Sequence, residues 1–139
     1  MITVSIITIP HHEQRYDTVG DWTFIRETGA LHIRVSDLNN WRYELLVGVH
    51  ELVEALLCSH AGIKQEIVDT FDFNYKGDEE PGDDYKCPYS GPHCIATGVE
   101  RVLAAVMGVS WSKYEKTLDN LPKWKEKNVI PNDPTSIAD

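Results

Sequence analysis

Apolar and polar positions alternate along the N-terminal third of the chain and recur at helical spacing from there onward. Residues 2–9, ITVSIITI, are rich in β-branched side chains and stop at Pro10, which reads as a strand closed by a residue that cannot continue a ladder. Residues 21–27 and 30–36 alternate around Thr28 and Gly29 and predict a hairpin. Its second strand turns Leu31, Ile33 and Val35 one way and His32 and Arg34 the other. His32 is expected to face solvent or a cross-strand acid. His11 and His12 fall in a polar connection, read as a solvated loop.

The period changes at Trp41. Over residues 41–62, Leu45, Val49, Leu52 and Leu56 form one stripe, widened by Leu46, Val53 and Leu57, and this predicts a helix buried over most of its circumference. Asp37, Asn39 and Asn40 are good caps before it, and Gly62 is a natural left-handed end. Gly48 and Ala55 share another side, where a second backbone can approach closely. Residues 64–70 predict one or two further turns.

Residues 71–90 carry no period and read as a loop able to form a lid or substrate wall. Their acids, Asp78 to Asp84, lack the spacing of an EF-hand calcium loop. Ser90-Gly91-Pro92 opens a second long helix, to Gly108, with Ile95, Val99, Val102, Leu103 and Val106 as its apolar side. Ser110 caps a shorter amphipathic helix over residues 111–121, with Trp111, Tyr114 and Leu118 inward. The expected fold is α+β: a small antiparallel sheet of about three strands packed on a central helix, then two further helices. It forms a single domain over residues 1–121, followed by a polar tail over residues 122–139.

Composition narrows the setting. With 42% hydrophobic and 25% charged residues, the 139-residue chain is ordinary for one folded domain rather than a disordered one. The net charge of −9 argues against a surface that tracks nucleic-acid phosphates. No apolar run reaches 18 residues, the N-terminus lacks a basic leader and a small-residue cleavage site, and the three cysteines do not close a disulfide set. A cytoplasmic protein without membrane association is expected.

The central helix carries the candidate chemistry. His50-Glu51-Leu52-Val53-Glu54 sits within LLVGVHELVEALLC, a setting in which charged side chains have no ordinary surface role. Buried ionisable groups need partners or a metal. A His and a Glu at i and i+4 can share one ion, and Glu51, about 100° around the helix, can stand beside that ion as general base. His-Glu-x-x-Glu differs by one residue from the His-Glu-x-x-His helix of zinc metallopeptidases. Glu54 in place of the second His keeps zinc as the expected ion and makes manganese or iron fit better than usual.

A third ligand is expected on a later element. His93, Thr97 and Glu100 align on the second long helix, and the positive end of the helix dipole favours a neutral imidazole at His93. His93 is the first candidate; Glu100 and Asp72 are alternatives. The bland reading is that this stripe simply faces water. Cys58, His60, Cys87, His93 and Cys94 offer a competing structural zinc site, but there is no C-x-x-C pair.

Strands followed by a helix bearing His50, Glu51 and Glu54, and then a helix bearing His93 and Glu100, resemble a compact zincin-type metallopeptidase. WRYELLVGVHELVEALLC with the later HCIATGVERVL also resembles small uncharacterised phage and prophage proteins. The zincin resemblance implies a zincin-like fold and a metal-dependent hydrolase acting on a peptide or protein substrate, with His50, Glu54 and a third residue holding the ion and Glu51 as base. Two other functions fit the residues. One is a non-enzymatic, acidic, phage-type binding or inhibitor protein using the loop from Asp78 to Asp84. The other is a metal-dependent nucleotide hydrolase using Glu51, Glu54 and Glu100 with magnesium.

Overall fold

The computed structural model describes residues 1–123. Three strands, β1 (Val4–Ile9), β2 (Gly20–Phe24) and β3 (Leu31–Ser36), precede four helices, α1 (Trp41–His60), α2 (Gln65–Asn74), α3 (Ser90–Val106) and α4 (Trp111–Asp119). Short 3-10 turns occupy His11–Glu13 and Pro81–Asp83. The architecture is α+β. Of the expected C-terminal tail, all but residues 122 and 123 lies outside the described residues.

The sheet is mixed, with strand order β1-β3-β2. The hairpin pairs β2 and β3 antiparallel, as the alternation around Gly29 predicts, and Gly29 holds φ of 69° at its turn. β1 instead lies parallel to β3, with Ile6 opposite Ile33. An all-antiparallel sheet was expected; strand alternation says which residues share a face and nothing about the direction of a distant partner. The segment between β1 and β2 is fastened by Arg15. Its buried guanidinium bonds Asp21 on β2 at 2.7 and 2.9 Å and Asp69 on α2 at 2.9 and 3.0 Å.

Asn40 caps α1, its side chain accepting from the backbone of Arg42 and Tyr43, while the Glu44 carboxylate reaches back to the Leu38 amide. At the other end Gly62, φ 72°, closes a Schellman turn in which the Ile63 amide donates to the Cys58 carbonyl at 2.9 Å. α1 packs on the sheet through Gly48: a Cβ there would lie 2.9 Å from Ile6, so only glycine allows this approach without displacement. Leu31, Ile33, Val35, Leu46, Val47, Ala55 and Cys58 are buried together around it.

Both long helices are rotated from the orientation that their hydrophobic stripes predict. On α1, Leu46, Val47, Gly48, His50, Glu54, Ala55 and Cys58 are buried, whereas Leu45 and Leu56 of the expected stripe are exposed. The reversal is larger on α3. Ile95, Val99, Val102 and Val106 face outward, Val106 with 78% exposure, and His93, Ala96, Glu100 and Ala104 are buried. Ala96 and Ala104 let α3 lie close to α1, and the polar stripe between them turns inward because His50 and Glu54 on α1 supply its hydrogen-bond partners. No helix among the described residues is long and apolar enough to cross a membrane.

Candidate metal centre

α1 and α3 cross so that His50 and Glu54, one turn apart on α1, face His93 in the first turn of α3. Three atoms converge. His50 Nε2 lies 3.2 Å from His93 Nδ1 and 3.4 Å from Glu54 Oε2, and His93 Nδ1 lies 3.0 Å from the same carboxylate oxygen. All three residues are buried, with at most 8% exposure.

Each of the three is held from behind. His50 Nδ1–H donates to Glu100 Oε1 at 2.9 Å, and the Tyr114 hydroxyl donates to the other Glu100 oxygen. Because that carboxylate accepts on both oxygens, Nδ1 of His50 carries a proton and Nε2 is the atom turned to the centre. The Trp22 indole N–H donates to Glu54 Oε1 at 3.0 Å, leaving Oε2 directed inward. His93 Nε2 faces Asp83 Oδ1 at 3.2 Å and Glu80 Oε2 at 3.5 Å, so its Nδ1 is the inward atom. Carboxylates behind ligating imidazoles and a donor behind a ligating carboxylate are the usual supports of a metal centre.

Two glycines shape the surroundings. Gly82, in the 3-10 turn Pro81–Asp83, lies flat against the His93 ring: a Cβ at Gly82 would be 2.3 Å from His93 Cγ and 2.4 Å from Nδ1. At Gly20, the first residue of β2, a Cβ would be 2.8 Å from Glu51 Oε1 and 2.7 Å from Val47. The Glu51 carboxylate therefore rests directly on the sheet backbone at the rim of the centre.

The electrostatics follow from this packing. Burial would by itself lower the His50 imidazole, but hydrogen bonds to Glu100 and Glu54 push it up to about 11. His93 is also raised, burial working against it and the Glu54 hydrogen bond prevailing. Glu54 is opposed by burial and pulled down to about 2 by the two imidazoles and Trp22. Glu51 moves the other way: burial first, then the Glu54 charge, hold its carboxyl well above the ordinary value, His50 only partly offsetting them. Burial and the Glu54 charge thus favour the protonated form of Glu51, and a cation held by the three inward atoms would favour its carboxylate instead.

Of the candidates for a third ligand, His93 stands at the centre. Glu100 stands one shell back, on the far side of His50. Asp72 takes hydroxyl hydrogen bonds from Tyr16 at 3.0 Å and from Tyr89, with burial lifting its carboxyl to about 7. It lines the same cavity without joining the three inward atoms. Cys58 and Cys87 are buried and Cys94 is exposed, and no cysteine enters a group of three convergent ligand atoms among the described residues. Trp22 and Gly82 were not singled out in the sequence, Tyr114 was read only as an inward-packed aromatic, and Asp83 only as one acid of the irregular loop. Only His50 and Glu54 are joined by local spacing; the others meet through long-range packing.

The centre opens into a cavity of about 640 Å³, bounded by the start of β2, the acidic turn at residues 78–83, α3 and α4. The irregular segment after α2 thus forms a wall of the site. Comparison with protein-family models, with curated proteins and with solved structures found no match to the chain.

Proposed function

We propose that this chain is a metal-dependent hydrolase of peptidase type, with His50, Glu54 and His93 as ligands and Glu51 as general base. The observation that carries the reading is the spacing of the three inward atoms, 3.0, 3.2 and 3.4 Å. Ligand atoms at about 2.0–2.1 Å from a tetrahedral zinc ion stand about 3.3 Å apart, the edge of the tetrahedron. Two neutral nitrogens and a carboxylate oxygen also suit zinc, with manganese or iron as the other candidates.

The bound ion supplies Lewis acidity to a carbonyl and makes water a stronger acid. This chain's residues do the rest. Glu100 and Asp83 face the outer nitrogens of His50 and His93 and hold the protons there, so that the inward nitrogens are the ones that give up a proton to an ion. Trp22 fixes which Glu54 oxygen points inward. Glu51, lying at the cavity wall with a raised pKa, accepts the proton of the attacking water on its carboxylate and returns it to the leaving group. Its placement against Gly20 sets it beside the start of the edge strand β2.

A magnesium-dependent nucleotide hydrolase would use Glu100 toward the cavity, and here both of its oxygens are engaged by His50 and Tyr114. The acidic binding-protein reading depends on the turn at residues 78–83, which here walls the cavity. Three free cysteines, two of them buried, support a reducing, cytoplasmic setting.

The test is a peptide-library digestion with zinc-loaded wild type and Glu51→Gln. Cleavage by the wild type that drops by at least about a hundredfold in Glu51→Gln, with metal still bound, is the expected result. Undiminished cleavage by the variant removes Glu51 from the mechanism.

A further inference from the structure

A second recess of about 340 Å³ adjoins the main cavity and shares Tyr16, Asp17, Asp72, Asp78 and Glu79 with it. Its volume is at the small end of ligand pockets, suited to one side chain rather than a folded partner. Three aromatic rings form its body. Tyr16 and Phe73 meet edge to face with centroids 5.1 Å apart, and Tyr75 closes the far side. Tyr75 lies across Gly77 so closely that a Cβ there would stand 2.2 Å from its hydroxyl. The glycine is what lets the ring fold over the recess.

Charge completes the chemistry. The Asp78 and Glu79 carboxylates are exposed at the rim, Asp17 is half-buried beside them, and Lys123 is the only cationic residue lining the recess among those described. Aromatic faces for an apolar stem and carboxylates for a cationic head are the complement of a lysine or arginine side chain. Asp17 is paired with His11 at 3.3 Å and Asp72 takes hydrogen bonds from Tyr16 and Tyr89, so the charge that a ligand would meet is that of Asp78 and Glu79 at the rim, which repels an anionic group and gives a purely aliphatic one nothing to pair with.

We propose that this recess holds the cationic side chain of a lysine or arginine in a peptide ligand, one or a few residues from the bond presented to the metal centre. The proposal rests on the peptidase reading for what the neighbouring cavity does to that peptide. Tyr16 is the shared wall: its ring bounds the recess and its hydroxyl holds Asp72 at the edge of the main cavity.

The test is calorimetric binding, to the full chain with and without zinc, of acetyl-Ala-Ala-Arg-Ala-Ala-amide and of its norleucine and glutamate counterparts at the arginine position. The arginine peptide is expected to bind about tenfold more tightly than the norleucine peptide, which corresponds to about 1.4 kcal/mol. That preference should fall severalfold in Tyr75→Ala and in Asp78→Asn/Glu79→Gln, and persist in Glu66→Gln, which removes an exposed acid of α2 that lines neither cavity. Equal binding of arginine and norleucine peptides overturns the proposal. So does a preference unchanged in both recess variants, which would reflect general attraction to an acidic protein. Because binding is read rather than turnover, a protein that takes no metal yet keeps the preference loses the hydrolase reading alone. One that holds zinc without the preference loses the recess alone.

Discussion

The imidazole of His93 occupies the space that any side chain on Gly82 would need. A loop glycine and a helix histidine are thereby coupled: the ring can point at His50 and Glu54 only while residue 82 has no Cβ. Gly82→Ala is predicted to leave the helices intact and to weaken zinc binding by about ten- to a hundredfold, the range for disturbed support of a ligand. A chelator competition titration beside a thermal melt of the metal-free variant separates the two effects. Unchanged affinity would mean that the turn carrying Gly82 moves freely away from His93.

Zinc binding should release protons. In the metal-free protein His50 is raised to about 11 and His93 is raised as well, so at neutral pH a proton stands at the inward face of the pair where the ion would bind. Affinity is predicted to increase with pH across 6 to 8, by about one decade per unit for each proton displaced. Calorimetry in buffers of different ionisation enthalpy counts the protons; a count of zero contradicts the assignment of these nitrogens as ligands.

Without metal, the same groups shape the pH dependence of stability. His50, raised above its ordinary 6.5, contributes stability that is fully present below that value and is lost as pH climbs through about 11. Glu54, depressed below its ordinary 4.5, contributes stability present above that value and lost as pH falls through about 2. The metal-free protein should therefore gain most from this pair between about pH 4.5 and 6.5. Chemical denaturation across pH should show Glu54→Gln with a flatter profile on both sides of that window.

The rotation of α3 has its own test. Val102 and Val106 are 66% and 78% exposed, so serine at either position is predicted to change stability by no more than about 0.5 kcal/mol. Leucine at fully buried Ala96 should destabilise by about 1–3 kcal/mol through overpacking against α1. Denaturant midpoints decide; the opposite ranking would restore the orientation that the hydrophobic stripe predicts.

That helix also marks where the sequence stops being legible. The boundaries of α1, its Asn40 cap and its Gly62 end follow from local chemistry, and the strands β2 and β3 from alternation around Gly29. His50, Glu51 and Glu54 stand out because an apolar run leaves them no surface role. The inward face of α3 carries instead small residues and the His93 and Glu100 hydrogen bonds to α1, a long-range pairing that no periodicity encodes, so Ile95 and Val99 read as core and are exposed. Trp22 behind Glu54 and Tyr114 behind Glu100 were hidden for the same reason: each joins residues 14 or more positions apart, and an aromatic in an amphipathic element reads first as packing. The parallel pairing of β1 with β3 is likewise non-local.

The central claim is that His50, Glu54 and His93 together hold one metal ion. Metal content by mass spectrometry on untagged protein, for wild type and for Glu54→Ala and His93→Ala, tests it most directly. Zinc or manganese near one equivalent in the wild type, falling sharply in both variants, is the predicted result. A wild-type protein that retains no metal after incubation with zinc and with manganese would contradict it, leaving the three side chains as a buried hydrogen-bond network that only joins α1 to α3.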